Sequence, residues 1–148
     1  MSLPAKSTKA TLRAVVLSQQ ICPQTGVEPV HLLDAILLGL DLWATFLKGL
    51  GLRATSAAPS ERRDAFVPIS EAVHRVLERS SLEAVRRRHW AVTPGHLALA
   101  IALEGELAGL ADDPAHIQAT LSAALDDLSE VFPPWQPTRG LVTVDPVA

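Results

Sequence analysis

The sequence predicts an all-α protein, and three observations support this fold class. Hydrophobic residues make up 48% of the 148 residues, which is enough to bury the core of one compact domain. The chain has three tryptophans, three phenylalanines and no tyrosine, so its core must consist mainly of Leu, Ala, Val and Ile. That composition suits closely packed helices better than a sandwich of strands. The third observation is an internal repeat of helical segments.

The repeat becomes visible when the chain is shifted by 65 residues against itself. "VEPVHLLDAILLG", which begins at residue 27, then aligns with "VTPGHLALAIALEG", which begins at residue 92. The same shift pairs Leu12 with Leu77 and Leu17 with Leu82. A proline and a histidine in fixed register with these leucines indicate a duplication. We expect two halves related by a pseudo-twofold axis.

Each half is predicted to begin with an amphipathic helix. In the first half this helix starts after Ser7 or Thr8 and ends at Pro23. In the second half Ser70 is a good N-cap, and arginines and glutamates fill the polar face. The residues at helical spacing are Leu12, Val15, Val16 and Gln19 in the first half and Val73, Val76, Leu77, Ser80 and Ala84 in the second.

The second helix of each half is predicted from the quoted repeat. Thr93 is a suitable N-cap, and Pro94 occupies the first helical position, where its missing N–H costs nothing. Glu28 and Pro29 hold the same places in the first half. After the prolines both segments are apolar on nearly every side, so we expect two central helices in contact with each other.

The remaining elements are less regular. "DLWATFLKGL" predicts a third helix that begins at Asp41 and stops near Gly49 to Gly51, with a shorter counterpart near Leu107 to Ala111. Trp43 in this helix is a core residue or a second anchor for a partner, and the core position is favoured. A last helix begins at Asp112 or Asp113. Residues 53–68 are predicted to form a loop or weak helix, and the proline-rich residues 131–148 an extended tail.

Taken together, the doubled Pro-x-His segments with Leu12 and Leu77 before them resemble the amino-terminal domain of Clp ATPases of the ClpA/ClpC type. The resemblance covers about residues 5–130. It implies an eight-helix pseudo-twofold bundle within a domain of residues 1–130, made of two four-helix repeats at about 5–58 and 68–130. In that family the domain receives substrates and adaptor proteins for an attached unfoldase.

The motif G-x-x-x-x-G-K-[ST] of a phosphate-binding loop does not occur in the sequence. The resemblance therefore implies a free-standing binding module, such as an adaptor, decoy or regulator of a Clp machine. Family members that recognise phosphorylated arginine have a glutamate before each histidine, where this chain has Val30 and Gly95. Ser70 matches the hydroxyl residue that helps them, but the first half has Ala5 at that place. We expect no phosphoarginine binding by that chemistry.

No catalytic or metal site is expected. His31 and His96 lie in the first turn of buried helices, where an imidazole usually completes a hydrogen bond to a neighbouring loop, so they are predicted to be structural, as are Pro29 and Pro94. The other histidines have no ligand spacing with the single cysteine, Cys22, and no nucleophile, base and orienting group can be assembled. No cofactor is predicted.

The segment "RRRHW", residues 86–90, is the most function-like surface feature. Arg86, Arg87 and Arg88 complement the dipole at a helix end. With Trp90 they are also candidates for contacting an acidic partner or a phosphate. Serine at all three arginines is expected to leave the melting temperature nearly unchanged. Ser70, Val30 and Gly95, around a groove between the repeats, complete the candidate partner-binding residues.

Three functional hypotheses remain open from the sequence. The first is a cytoplasmic, non-enzymatic module that binds proteins or peptides, as a monomer or weak dimer without a membrane segment. The second is a helical transcription regulator or nucleic-acid-associated domain that uses Arg86 to Arg88, although a net charge of −3 makes nucleic acid an unlikely partner. The third is a divergent interaction module with no Clp partner, for instance an assembly component of another secretion or stress machine.

Overall fold

A computed structural model describes residues 6–22, 26–39, 42–52, 67–89, 91–108 and 111–131. The fold is helical, as predicted. The helices in these residues are α1 (Lys9–Ile21), α2 (Pro29–Leu37), α3 (Leu42–Gly49), α4 (Glu71–Arg86), α5 (Pro94–Leu103) and α6 (Pro114–Val131). Two short strands, β1 (Lys6–Ser7) and β2 (Ala91–Val92), pair in parallel.

The predicted count of eight helices is not confirmed, because six lie in the described residues. Around Leu107 to Ala111, where a short helix was expected, the described residues form turns and an isolated bridge between Ala108 and Ala111. The expected linker at residues 53–66, the predicted cap Asp41 and the tail at residues 132–148 lie outside the described residues. None of the described helices is by itself long and apolar enough to cross a membrane; α2 and α3 pass that test only as a bent pair.

The two halves hold each other through reciprocal backbone pairing. Ser7, which precedes α1, pairs with Val92, which precedes α5. In the opposite sense Ile69, which precedes α4, bridges to Val27, which precedes α2. The backbone N–H of Thr8 donates to the Val92 carbonyl at 3.0 Å, and that of Ser70 donates to the Val27 carbonyl at 2.9 Å. Each repeat therefore fixes the start of the other repeat's second helix.

The N-caps show that the 65-residue register is wrong for the first helix of each half. Thr8 caps α1 by accepting from the Thr11 N–H, and Ser70 caps α4 by accepting from the Val73 N–H, which is an offset of 62 residues. The counterpart of Ser70 is therefore Thr8, and the pairing of Ser70 with Ala5 was wrong. Inside the helices the Ser18 hydroxyl donates to the Val15 carbonyl and the Ser80 hydroxyl donates to the Leu77 carbonyl. The offset returns to 65 at the second helices, so α4 and the turn after it contain three additional residues around Arg86 to Arg88.

This register changes which face of α1 is buried. Thr11, Ala14 and Ser18 face the core, as Val73, Val76 and Ser80 do in α4. Leu12 is instead 53% exposed and Val16 39% exposed. The prediction that Leu12 and Val16 belong to the core-facing stripe of α1 was therefore wrong, because both side chains lie on the surface.

The core is built around α5 and α2, which contact each other as expected. Helix α5 is buried from Pro94 through Ala102 and packs against α4 and α6, while α2 is buried from Leu32 through Leu37 and packs against α1. Burial of one leucine side chain contributes about 1.5–3 kcal/mol. The largest fully buried leucines are Leu32, Leu33, Leu37, Leu47, Leu52, Leu97, Leu99, Leu107, Leu121 and Leu125.

Candidate functional site

A groove of about 680 Å³ runs along the surface between α1 and the end of α2. We call it the α1/α2 groove. It lies within the first repeat and includes Pro94 of the second, so it is a different groove from the one predicted between the repeats. It is lined by Ala10, Leu12, Arg13, Ala14, Val16, Leu17, Gln20, Ala35, Ile36, Leu38, Gly39 and Pro94. Most of these side chains are apolar, so the groove offers a partner a hydrophobic surface in water.

In the corresponding region of the second repeat, ion pairs join α4 to the end of α5. Glu104, at the end of α5, lies 3.1 Å from Arg79 and 3.8 Å from Arg75 of α4. At the offsets of 62 and 65, Arg79 corresponds to Leu17 and Glu104 corresponds to Gly39. The first repeat therefore has an apolar side chain and a glycine where the second has a charged pair.

Both helix-starting histidines cap their own helices. The backbone N–H of Glu28 donates to His31 Nδ1 at 2.9 Å, and the backbone N–H of Thr93 donates to His96 Nδ1 at 2.9 Å. The Thr93 hydroxyl in turn accepts from the His96 backbone N–H. The imidazole thus performs the task of the glutamate in a capping box, which requires an unprotonated Nδ1 in both rings. Cys22 Sγ lies 3.5 Å from His31 Nδ1.

His96 is buried and pairs with His89, which is half-buried. Its Nε2 lies 2.7 Å from His89 Nδ1, and since Thr93 occupies Nδ1, His96 donates through Nε2. Burial lowers the pKa of His96 to about 3, assisted by the nearby His89 and Arg87. Burial also lowers the pKa of His89, assisted by the charge of Arg87, while Asp126 and the Leu125 carbonyl oppose the shift. Among the described side chains, the buried His89 Nε2 makes no hydrogen bond of normal geometry.

The three arginines at the C-terminal end of α4, Arg86 to Arg88, have different environments. Arg87 is 6% exposed and joins α4 to α6, donating to Glu83 on its own helix and to Asp126 (2.7 Å) and Ser122 (2.9 Å) on α6. Arg86 is exposed and pairs with Glu83. Burial raises the pKa of Glu83, but hydrogen bonds from Arg86 and Arg87 outweigh this and lower the pKa overall.

Arg88 is exposed and has a left-handed backbone with φ of 59°. Its N–H donates to the Val85 carbonyl and that of His89 donates to the Ala84 carbonyl, which is the Schellman ending of a helix. The expectation that serine at all three arginines leaves the melting temperature unchanged is therefore corrected, because Arg87 is part of the packing between helices. Trp90 lies outside the described residues.

The other candidate residues are not assembled into one surface. Gly95 is buried beneath Trp43, where an added Cβ would come within 2.7 Å of the indole, which corrects its assignment as a partner contact. Val30 is half-buried in the first turn of α2. The Ser70 hydroxyl caps α4 and donates to Glu28 Oε1 at 3.3 Å, so it connects the two repeats. In the described part of the chain, no three His, Cys, Asp or Glu residues converge as metal ligands.

Comparison with solved structures identifies the fold. The N-terminal domain of ClpD, a caseinolytic protease-associated chaperone of Arabidopsis thaliana, superposes with a TM-score of 0.54 at 18% identity, over 81% of this chain and 94% of that domain. The chain shares the fold of a Clp N-terminal domain. A structure from preliminary structural investigations of a malarial protein secretion system superposes with a TM-score of 0.62 at 17% identity, over 88% of this chain and all of that one. No family model and no curated protein matches the sequence.

The Clp N-terminal fold was anticipated from the doubled Pro-x-His segments, whereas the α1/α2 groove was not. A sequence signal for the groove does exist. Aligning Ser18 with Ser80, 62 residues apart, places Leu12 opposite His74 and Val16 opposite Glu78. Positions that are polar in α4 are thus apolar in α1, which indicates an apolar face directed away from the core.

Proposed function

We propose that this chain is a non-enzymatic protein-binding module of the Clp N-terminal type, which acts as an adaptor, decoy or regulator of a Clp unfoldase or protease. The observation that carries the proposal is the α1/α2 groove on this fold, with Leu12 and Val16 exposed along α1. Contiguous apolar grooves on helical domains commonly receive apolar segments of other proteins.

The binding role has an energetic basis in the exposed side chains. Leu12 and Val16 lie one turn apart on α1, so a single partner segment covers both. Covering the exposed part of each side chain contributes roughly 1 kcal/mol. Substitution at these positions should leave the fold intact, because their polar counterparts His74 and Glu78 occupy the same places in α4.

The non-enzymatic part of the proposal is supported by the roles of the histidines. His31 and His96 both use Nδ1 to accept a backbone N–H at a helix start. Burial lowers the pKa of His96 to about 3, far below the range in which a general base exchanges protons at neutral pH.

The test is affinity purification of the tagged chain from its native host, followed by mass spectrometry of the bound proteins. We expect Clp unfoldase or protease subunits, or their substrates, to be enriched over a purification with Val16→Glu. Enrichment of nucleic acid that is released by salt would instead favour the hypothesis of a transcription regulator or nucleic-acid-associated domain. Equal recovery of all proteins with the variant would contradict a role for the groove.

A further inference from the structure

The α1/α2 groove has a positive charge, Arg13, without the carboxylate that pairs with the corresponding arginine in the second repeat. Arg13 on α1 corresponds to Arg75 on α4 at the offset of 62 residues. Arg75 lies 3.8 Å from the Glu104 carboxylate, which it shares with Arg79. At the offset of 65, the residue that corresponds to Glu104 is Gly39. The first repeat has therefore kept the arginine and lacks the carboxylate.

Arg13 is exposed and lines the groove, and no carboxylate is among the lining residues. Helix α1 carries Lys9 and Arg13 but no acidic residue. Within the described residues, no ion pair involves Arg13. The groove thus combines an apolar floor with a single positive charge at the place where the other repeat holds an internal ion pair.

We propose that the α1/α2 groove binds a peptide segment of another protein whose apolar side chains cover Leu12 and Val16 and whose Asp or Glu pairs with Arg13. The partner carboxylate takes the position that Glu104 takes in the second repeat. This inference rests on the proposed function and adds the chemical class of the partner to it. An acidic apolar segment is favoured over a basic one because the positive charge of a lysine there would be repelled by that of Arg13.

The test is a selection of random peptides displayed on phage against the immobilised full chain. Wild-type protein is compared with Arg13→Glu and with Gly39→Glu, which supplies the carboxylate found in the second repeat. The matched control is Leu82→Glu, because Leu82 is an exposed apolar residue of α4 that does not line the groove. Val16→Glu is included to test the apolar part of the groove. Circular dichroism establishes that all five proteins are folded before selection.

We expect wild type and Leu82→Glu to enrich peptides with several apolar residues and an Asp or Glu. Arg13→Glu should enrich apolar peptides with a Lys or Arg instead, and Gly39→Glu should lose enrichment because its glutamate pairs with Arg13. Changing the acidic residue of a selected peptide to its amide should weaken binding to wild type roughly tenfold, which is the effect of one charge-assisted hydrogen bond.

Two results would overturn the inference. Apolar peptides without acidic preference, bound equally by wild type and Arg13→Glu but lost with Val16→Glu, would leave the groove as a binding site and refute the pairing with Arg13. Absence of enrichment on wild type would refute the peptide-binding inference. The proposed function is judged separately, by the proteins that co-purify from the host.

Discussion

The pair of buried His96 and half-buried His89 makes the free energy of unfolding depend on pH, and His96 dominates this dependence. Its side chain is 1% exposed, and burial lowers its pKa to about 3. In the unfolded chain the pKa of a histidine is about 6.5. Protonation of folded His96 would place a charge beside His89 and Arg87 in the core, so the folded protein resists it.

The sign and size of the effect follow from proton linkage. Between pH 6.5 and pH 3 the unfolded chain binds more protons at His96 than the folded chain does, so stability rises with pH in this window. The contribution is fully present above pH 6.5 and is lost progressively as the pH falls. From pH 7 to pH 5 the loss for His96 alone is about 2 kcal/mol. The lowered pKa of His89 adds to it in the same direction.

The assay is urea unfolding at pH 7, 6 and 5, compared between wild type and His96→Gln. Glutamine is the usual residue at this position of a capping box, so it keeps the hydrogen bond to Thr93 without titrating. We expect the variant to lose about 2 kcal/mol less stability than wild type between pH 7 and pH 5. His116→Gln replaces an exposed histidine of α6 and controls for the substitution itself.

Equal losses of stability in wild type and His96→Gln would refute this reasoning. If the variant fails to fold, a nuclear magnetic resonance titration of the wild-type imidazoles decides the matter. Ring signals of His96 that move with a midpoint near pH 6.5 in the folded protein would show that the ring accepts a proton without cost.

Three further predictions concern stability, each read from the urea or thermal midpoint of a single variant. Arg87→Ala should destabilise by about 3 kcal/mol, because it removes the connection from α4 to α6 and leaves Glu83 with one partner fewer; a loss below 0.5 kcal/mol, the range of ordinary surface substitutions, would contradict it. Arg88→Gly should stabilise by about 1 kcal/mol, since glycine adopts the left-handed backbone without steric cost, and a destabilised variant would argue against the Schellman ending. Gly95→Ala should destabilise by about 1–3 kcal/mol through its clash with Trp43, and an unchanged midpoint would count against that packing.

The sequence predicted the parts of the fold that depend on local chemistry. Pro29 and Pro94 fix the starts of α2 and α5, because proline tolerates the first helical position and few others. The apolar runs after them predicted two central helices, since a helix without a polar face must be covered all round. His31 and His96 were placed in the first turns of these helices because each follows the proline by two residues.

The register of the first helices was mispredicted because leucine carries little positional information in a chain rich in leucine. Leu12 and Leu77 align at an offset of 65, yet Leu12 is exposed and Leu77 is buried. Ser18 and Ser80 carry the correct offset, because a small residue is required where each hydroxyl bonds back to its own helix. The three additional residues at the end of α4 and in the turn after it change the offset from 62 in the first helices to 65 in the second.

The α1/α2 groove and the role of Arg87 depend on contacts between distant segments, which a pattern within one segment does not contain. Arg87 appears in sequence as one of three equivalent charges at a helix end. Only the position of Asp126 and Ser122 on α6 distinguishes it from its neighbours. Likewise, Gly39 and Leu17 line the groove at the places that an ion pair occupies in the other repeat.

The assignment of the α1/α2 groove as the binding surface is tested most directly by the quantity of each host protein that co-purifies with Val16→Glu relative to Leu82→Glu. Both variants place a glutamate on an exposed apolar site of a repeat's first helix, but only Val16 lines the α1/α2 groove. We predict that Clp components or their substrates are retained by Leu82→Glu and lost with Val16→Glu. Retention of the same partners by both folded variants would contradict the assignment of this groove as the binding surface.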